Sequence, residues 1–290
     1  MELVQSLING ILLGGIYAAV GIGLSLIFGI VRMVNLAHGD LMILSAYLAL
    51  TLMKITGANA YVVLLGVLPA MFVLGYLMQR LVLNRVLGQG MEPPLIVAFG
   101  LSIIFQNALL LIYSPDARSL KSGLAIQHLA VTSWLHIPLI YLVGFAVGCG
   151  VIALLWLFLR HTDLGRAIRA AADDETAAQY MGINTRRIYA VAMGIATATA
   201  AVAGILIGTT FTFYPHTGPQ YLIIAFGVVI IGGAGSMAGT LAGGIILGLA
   251  QLLGAYFFGT GYQLLSGYLI LLTVLALRPQ GLFGRKERSA

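Results

Sequence analysis

Two groups of polar residues interrupt an otherwise apolar chain, and the first is Asn35-Leu36-Ala37-His38-Gly39-Asp40. A histidine and a carboxylate this close together could relay protons, which would suit a carrier driven by an ion gradient. An ionisable residue beside a membrane span is also a functional candidate by default. Asp40 could equally cap the helix that follows it or pair with Arg32. We favour the structural role, and we treat Asn35, His38 and Asp40 as pathway or structural polar residues.

The second group is the segment 160–187, which holds nine charged residues in a chain that has only 15 Lys or Arg and 9 Asp or Glu. Thr162 or Asp163 can cap a helix, and the alanines that follow favour one. Gly182 is the residue type that ends a helix, and Asn184 can cap the next. The segment therefore predicts one short helix followed by a sharp turn.

Small alanine side chains surrounded by charges suit docking on another protein. A solvated connector between two membrane spans would have the same composition, so both interpretations stay open at this point. The residues that we assign to this docking loop are Gly165, Arg166, Arg169, Asp173, Asp174, Ala177, Ala178, Gly182 and Asn184.

Uncharged polar residues also lie inside apolar runs. In the interior of a bundle, such groups either hydrate a path or form hydrogen bonds between helices, and the sequence does not distinguish the two roles. The residues concerned are Gln106, Asn107, Thr197, Thr199, Thr209 and Thr210.

Motifs for enzymatic chemistry are missing from the sequence. A phosphate-binding loop needs Gly-Lys-Ser/Thr, whereas Lys54, Lys121 and Lys286 follow Met, Leu and Arg. We find neither a Gly-x-Ser-x-Gly motif nor histidines at metal-ligand spacing. We therefore expect no catalytic residue, no metal site and no ATP site in this chain. The scattered histidines are His38, His128, His136, His161 and His216.

The composition indicates that these residues belong to a membrane-embedded chain and not to a soluble one. The chain has 290 residues, of which 60% are hydrophobic and 8% charged, whereas a soluble domain carries about 25% charged residues. From Ile188 to Leu277 there is no Asp, Glu, Lys or Arg, although one crossing of a bilayer needs only about 20 apolar residues. This segment must cross several times.

Apolar runs separated by charges or turn residues predict the elements. They indicate an all-α, polytopic transmembrane bundle that forms a single domain over residues 1–290, with eight to ten spans and nine preferred. The pieces on either side of Gly232–Ser236 are two short spans, or one broken element and one re-entrant element. The runs are 5–30, 36–53, 61–79, 93–113, 137–159, 188–211, 221–235, 238–258 and 262–277.

The net charge of +6 comes from arginines between the apolar runs, which is typical of the positive-inside pattern and not of nucleic-acid binding. With nine spans, Arg32, Arg80, Arg85, the loop 160–187 and the tail residues Arg285, Lys286 and Arg288 fall on one side. Lys54, Asp116, Arg118 and Lys121 fall on the other. The arginine-rich side, with the C-terminus, should be cytoplasmic, and the N-terminus should be periplasmic.

Glycines recur four residues apart inside the runs, for example at Gly10 and Gly14 and at Gly244 and Gly248. One small residue per helical turn lets two backbones approach closely. The spacing predicts a tightly packed bundle.

Several segments resemble the branched-chain amino acid transport permeases of the LivH type. Ala177-Ala178-x-x-x-Gly182 matches the core of the motif by which importer permeases contact their ATPases, with Thr176 in place of the usual glutamate. The similarity extends from the first run to the tail. The other matching segments are Asn35–Asp40, Gly165-Arg166-Ala167 with Arg169-Ala170, Gly182-Ile183-Asn184-Thr185, Ala201-Val202-Ala203-Gly204 and Gly232-Gly233-x-Gly235-Ser236.

The resemblance implies a type II ABC-importer-like permease in a bacterial inner membrane. The implied partners are a second related permease subunit, two cytoplasmic ATPase subunits that bind ATP and Mg, and a periplasmic substrate-binding protein. Leucine, isoleucine and valine are the implied substrates, while urea, short amides and other amino acids remain alternatives. A stand-alone carrier or channel is the competing hypothesis, although charges for ion coupling are nearly missing.

Overall fold

Helices form most of the part of the chain that the computed structural model describes, which is residues 2–31, 33–90, 92–125, 127–132, 135–278 and 280–283. The tail arginines and Arg32 therefore lie outside the described residues. The helices are α1 (Glu2–Val31), α2 (His38–Thr56), α3 (Ala60–Leu81), α4 (Glu92–Tyr113), α5 (Leu139–His161), α6 (Asp163–Asp173), α7 (Glu175–Tyr180), α8 (Thr185–Thr210), α9 (Gly218–Gly232), α10 (Met237–Phe258) and α11 (Gln263–Leu277), with short 3₁₀ turns at Leu83–Arg85, Gly123–Ala125 and Thr260–Tyr262.

Each of the nine predicted apolar runs forms a helix. Within the described residues, eight helices are long and apolar enough to cross a membrane, and α9 is a shorter apolar helix. Its 15 residues span only about 22 Å, less than the roughly 30 Å of a hydrocarbon core. The polytopic all-α bundle is confirmed.

A short antiparallel hairpin of β1 (His128–Thr132) and β2 (Leu135–Pro138) precedes α5, and the sequence analysis did not predict it. Gln5 at the start of α1 donates to the carbonyl of His136 at 3.2 Å. The hairpin therefore marks the end of the bundle where α1 begins, which we call the hairpin end. The opposite end carries α6 and α7, and we call it the loop end.

Helix α1 lies in the centre of the bundle and packs antiparallel on α10. Gly14 sits so close to the backbone of Ile245 that a β-carbon would overlap it, and Gly244 lies equally close to Gly14 and Ala18. These glycines follow the predicted four-residue spacing. Helices in lipid associate through such close backbone contact, because no hydrophobic drive remains between them.

Helix α2 begins deep inside the bundle. His38 Nε2 lies 3.2 Å from the carbonyl of Val20 in α1, and Val20 precedes the end of α1 by eleven residues. At 1.5 Å per residue, α2 starts about 16 Å below the loop end. The position of this segment just after Arg32 predicted a start close to the cytoplasmic boundary. That prediction is wrong, because the chain re-enters the bundle after α1.

Helix α9 also begins inside the bundle. Gly39 in α2 and Gly218 in α9 approach so closely that a β-carbon on either would overlap the other segment. From this crossing, α2 runs toward the hairpin end and α9 toward the loop end. The 19-residue α2 and the 15-residue α9 thus meet at their N-termini inside the bundle.

Gly148→Ala should destabilise the folded chain by about 1–3 kcal/mol, because a β-carbon there overlaps the Gly15 carbonyl of α1 and overpacking strains a core by this amount. Gly150→Ala in the same helix is the control, since nothing lies within 4 Å of its β-carbon position. Thermal unfolding of the purified variants in detergent measures both. Equal melting temperatures for the two variants would contradict this α1–α5 contact.

Candidate functional site

The break before α2 is held by side chains that the sequence analysis singled out. Asn35 Oδ1 accepts a hydrogen bond from the Ala37 amide at 3.1 Å, and Asn35 Nδ2 lies 3.7 Å from the sulfur of Met193 in α8. Ala37 occupies the N-cap position of α2 without a side-chain cap. Asp40 is therefore not the N-cap, and it lies in the first turn of the helix.

Asp40 is buried at the crossing, with 1% of its surface exposed. Ser102 Oγ in α4 donates to its Oδ2 at 2.5 Å, and Gln106 Nε2 donates to the same Ser102 oxygen at 3.0 Å. Its Oδ1 has no hydrogen-bond partner within the described residues and lies against Gly218. The structure thus links Asp40 to Gln106 through Ser102, which forms a hydrogen bond with each of them.

Ser102 was missed in the sequence analysis. It lies one helical turn before Gln106, and this i, i+4 spacing on an apolar helix is the signal that could have identified it. Asn107, on the next face of α4, donates instead to the Ile103 carbonyl of its own helix at 2.8 Å and is exposed.

Thr197, Thr199 and Thr209 of α8 form hydrogen bonds inside the bundle, whereas the hydroxyl of Thr210 is buried without a partner among the described residues. Thr197 Oγ1 lies 2.9 Å from the carbonyl of Met71 in α3 and 2.9 Å from that of Met193. Thr199 and Thr209 donate to carbonyls one turn earlier in α8. Of these three threonines, Thr197 is the one with a described bond to a second helix, and none of the three has a described contact with Asp40.

The docking loop forms two helices, α6 and α7, and not the single helix that we predicted. Thr162 Oγ1 accepts from the Gly165 amide at 3.0 Å and caps α6. Asp174 then takes an extended conformation and caps α7, accepting from the Ala177 amide at 2.9 Å. An aspartate that can cap a new helix competes with continuing the old one, which explains the break.

Helix α6 packs on the bundle and α7 is fixed to α8. Gly165 lies against the backbone of Leu159 in α5, where a β-carbon would not fit, and Ile168 is buried. In α7, Gln179 Nε2 donates to Glu175 Oε1 at 3.2 Å and to Thr185 Oγ1 at 3.0 Å. Thr185 is the first residue of α8, so α7 and α8 are joined by side chains as well as by the chain.

The turn after α7 is as predicted. Gly182 has a φ of +83°, and Asn184 caps α8 by accepting from the Arg187 amide at 3.1 Å. A left-handed residue costs little only when it is glycine. The loop therefore returns to the membrane through a turn that most other residues would strain.

The outer face of α7 carries two bulky side chains. Tyr180 and Met181 are 87% and 83% exposed, whereas Ala178 is buried beneath them. Thr176 and Ala177 lie on the exposed side as well. Ala177 is therefore available for docking, whereas the assignment of Ala178 to the docking surface is wrong, because this side chain packs into the bundle. A projecting aromatic and a thioether lie at the end of the surface.

The charged residues of α6 lie around its exposed side. Arg166 pairs with Asp163, and Asp173 and Arg169 line a cavity of about 660 Å³ between α1, α5 and α6. The described charges of the loop are therefore partly balanced among themselves.

The buried Asp40–Ser102 contact should contribute to stability in a way that a double-mutant cycle detects. Asp40→Ala and Ser102→Ala should each destabilise the chain. The double variant should lose about 1 kcal/mol less unfolding free energy than the sum of the two single-variant losses, because the energies of contacting residues are coupled. Unfolding free energies in detergent measure the cycle. Asp40→Ala with Ser266→Ala is the control, since Ser266 donates to Tyr262 and shares no partner with Asp40. Additive losses for Asp40 and Ser102 would count against the contact.

Comparisons with known proteins agree with this architecture. The family model for the branched-chain amino acid transport system permease component matches residues 6–276. The chain is 34% identical over 300 residues to the high-affinity branched-chain amino acid transport system permease protein BraD of Pseudomonas aeruginosa, covering 98% of this chain and 96% of that protein. It is 32% identical over 295 residues to LivH of Escherichia coli, which has the same description, with the same coverage.

A shorter similarity, 33% identity over 132 residues, covers 41% of this chain and 40% of the ribose import permease protein RbsC of Escherichia coli. No solved structure matches the chain. The full-length matches and the eight apolar helices agree, so this chain is an integral membrane protein and belongs to the family of branched-chain amino acid transport system permease components.

Proposed function

We propose that this chain is the membrane-spanning permease subunit of an ATP-driven importer in a bacterial inner membrane, with leucine, isoleucine or valine as cargo. The observation that carries the proposal is the exposed α7, which is fixed to a central membrane helix and presents Tyr180 and Met181 outward. The names of the full-length relatives support the substrate class. The match to a ribose permease covers less than half of the chain and gives weaker support for a sugar.

The loop end faces the cytoplasm in this proposal. Arg80 and Arg85 share a cavity with Arg186 and Arg187 at this end, whereas Arg118 lies at the other end, where it bonds to the backbone of Phe213. An excess of arginine marks the cytoplasmic side. The N-terminus of α1 is then periplasmic.

ATP is bound and hydrolysed by two separate cytoplasmic subunits. The chain pairs with a second, related permease subunit, and a periplasmic binding protein delivers the cargo. Tyr180 and Met181 fill a groove on one ATPase, because a helix with a few projecting apolar side chains suits such docking. The ring and thioether supply the apolar contact, and the charges of α6 surround it.

Helix α8 transmits movement of α7 to the centre of the bundle. It begins at Thr185, which bonds to Gln179 in α7. Further along, Met193 contacts Asn35 at the start of the broken segment, and Gly204 packs on the backbone of Met42 in α2. Displacement of α7 therefore shifts the crossing of α2 and α9, which opens access to alternate sides of the membrane.

The polar groups at the crossing suit passage without tight binding. Asp40, Ser102 and Gln106 are bonded to one another in this arrangement, and they become available to an amino acid zwitterion, whose net charge is zero, when the crossing opens. A separate binding protein selects the cargo, so the membrane subunit needs only to solvate it briefly.

Tyr180→Ala combined with Met181→Ala should weaken binding of the ATPase subunits at least tenfold, because buried aromatic anchors dominate binding energy at interfaces. Co-purification and ATPase titration against the detergent-solubilised permease measure this. The control is Phe257→Ala with Phe258→Ala, two consecutive exposed residues at the hairpin end. Unchanged ATPase affinity in the Tyr180/Met181 variant would exclude α7 as the docking helix.

Gly182→Pro should abolish ATP-dependent leucine uptake while the protein still inserts, because proline cannot adopt a φ of +83° and loses the amide bond to Gln179. Gly259→Pro is a matched control, with a φ of +98° and an amide bonded to Ala255, at the hairpin end. Uptake into vesicles and ATPase activity measure the effect.

Normal coupled uptake by the Gly182→Pro variant would contradict transmission through this turn. The competing carrier hypothesis is motivated by the buried Asp40 carboxylate. Transport by the purified single chain in liposomes, under a proton gradient and without an ATPase, would establish that hypothesis and refute the importer.

A further inference from the structure

A polar cavity at the loop end, outside the docking surface of α7, is lined by four arginine residues. It has a volume of about 770 Å³ and lies between the end of α3, the 3₁₀ turn after it and the start of α8. Its lining includes Arg80, Arg85, Arg186, Arg187 and Tyr76. Arginine stays protonated at every accessible pH, so the residues that line the cavity carry four positive charges.

No carboxylate balances these charges within the described residues. The described ion pairs join Arg118 to Asp116 and Arg166 to Asp163, and no Asp or Glu lines the cavity. The acidic residue that shares a lining with Arg186 is Glu175, in the neighbouring cavity, and it already accepts hydrogen bonds from Gln179 and Thr185. The four like charges therefore repel one another unless an anion lies among them.

The start of α8 adds to this positive potential. Arg186 and Arg187 occupy its first turn, after the cap residue Asn184. The N-terminus of a helix carries roughly half a positive charge, so cations are unfavourable at these positions and anions are favourable. The two arginines and the helix dipole attract an anion to the same place.

Hydrogen bonds fix the sides of the cavity relative to each other. Asn84 Nδ2 donates to the carbonyl of Arg186 at 3.0 Å, and Gln79 Nε2 donates to Asn84 Oδ1 at 3.0 Å. Gln79 is fully buried. The end of α3 is thereby attached to α8 across more than 100 residues of sequence, which holds the arginines in position for a ligand.

An apolar surface leads from the cavity into the membrane. Val73, Leu77 and Leu81 are exposed at four-residue spacing on α3, and so form one stripe along the helix. On the adjacent stripe, Arg80 lies over the ring of Tyr76, 5.9 Å from its centroid, and donates to its hydroxyl at 3.2 Å. Tyrosine is typical of the headgroup level of a bilayer.

We propose that this cavity binds the headgroup of an anionic phospholipid from the leaflet at the loop end. The phosphate accepts hydrogen bonds from the arginines, which bind phosphates with two parallel N–H groups. An acyl chain lies along the stripe of Val73, Leu77 and Leu81. Basic cavities between membrane helices on the cytoplasmic side bind such headgroups in general, and a soluble anion would have no use for the apolar stripe.

Native mass spectrometry of the purified full chain tests the site. Phosphatidylglycerol, cardiolipin and the zwitterionic phosphatidylethanolamine are each titrated into the detergent complex. We expect the wild-type chain to retain the anionic lipids at least tenfold more tightly than phosphatidylethanolamine. Equal retention of the three lipids would overturn the proposal. This measurement uses the wild-type chain, so it does not depend on whether a variant folds.

Arg85→Gln combined with Arg187→Gln should weaken phosphatidylglycerol binding roughly thirtyfold, since each arginine near a headgroup contributes about fivefold. The control is Arg160→Gln with Arg278→Gln, which removes the same charge at the same end of the bundle but outside the cavity. An equal loss in both double variants would mean that only the overall surface charge attracts lipid, and would refute the site.

Two further measurements test whether the cavity binds something other than a lipid. Displacement of phosphatidylglycerol by millimolar inorganic phosphate would mean a site for soluble phosphate, which contradicts a lipid site. Loss of ATPase-subunit binding in Arg85→Gln with Arg187→Gln, without any loss of lipid, would assign the arginines to a protein interface and also overturn the proposal. We expect this double variant to bind the ATPase subunits normally and to lose phosphatidylglycerol.

Discussion

Backbone that is not helical can lie inside a bilayer only where protein covers it and satisfies its polar groups, and the centre of this bundle depends on that constraint. The segments 33–37 and 211–217 both leave a long helix and re-enter the bundle to start a shorter one, α2 or α9. Asn35 Oδ1 takes the amide of Ala37, and Thr217 Oγ1 bonds to the backbone of Tyr214 at 2.8 Å. Met33, Asn35 and Ala37 in the first segment and Phe213 in the second are buried by the surrounding helices. Without these local bonds, the crossing of α2 and α9 would expose unpaired amides inside the bundle.

Helix α8 connects the two regions that the function needs. Its first turn bonds to α7, its middle contacts the broken segment at Asn35, and its later turns pack on α2. Thr197 of α8 also donates a hydrogen bond to the carbonyl of Met71 in α3. Helix α3 contributes Arg80 to the basic cavity. One buried helix thus touches the docking loop, the crossing and the arginine cluster. Movement in any of the three must be accommodated by the others, because the small residues along α8 leave no free space between helices.

The sequence predicted the helices well because hydrophobic runs and caps are local signals. The nine apolar runs, the cap at Thr162 and the turn at Gly182 all depend on residues close together in the chain. The depth of His38 and Asp40 could not be predicted in this way, since an apolar run records length but not where the chain re-enters the bundle. The contact of Asp40 with Ser102 and the approach of Arg85 to Arg187 join residues far apart in sequence. The break at Asp174 was missed because alanine-rich sequence on either side favours one continuous helix, and a single capping side chain decides otherwise.

Asp40 lies in the membrane without a lysine or arginine partner among the described residues, and the two helix N-termini at the crossing explain how this is tolerated. It sits in the first turn of α2, beside the first residue of α9. Each of the two N-termini is equivalent to roughly half a positive charge, so together they replace about one cation, and Ser102 adds a hydrogen bond. Glycine at both positions of the crossing allows this approach, because any side chain would hold the helix ends apart. Separation of α9 from α2 removes part of the compensation, so the Asp40 carboxylate favours the arrangement in which the two helix ends meet.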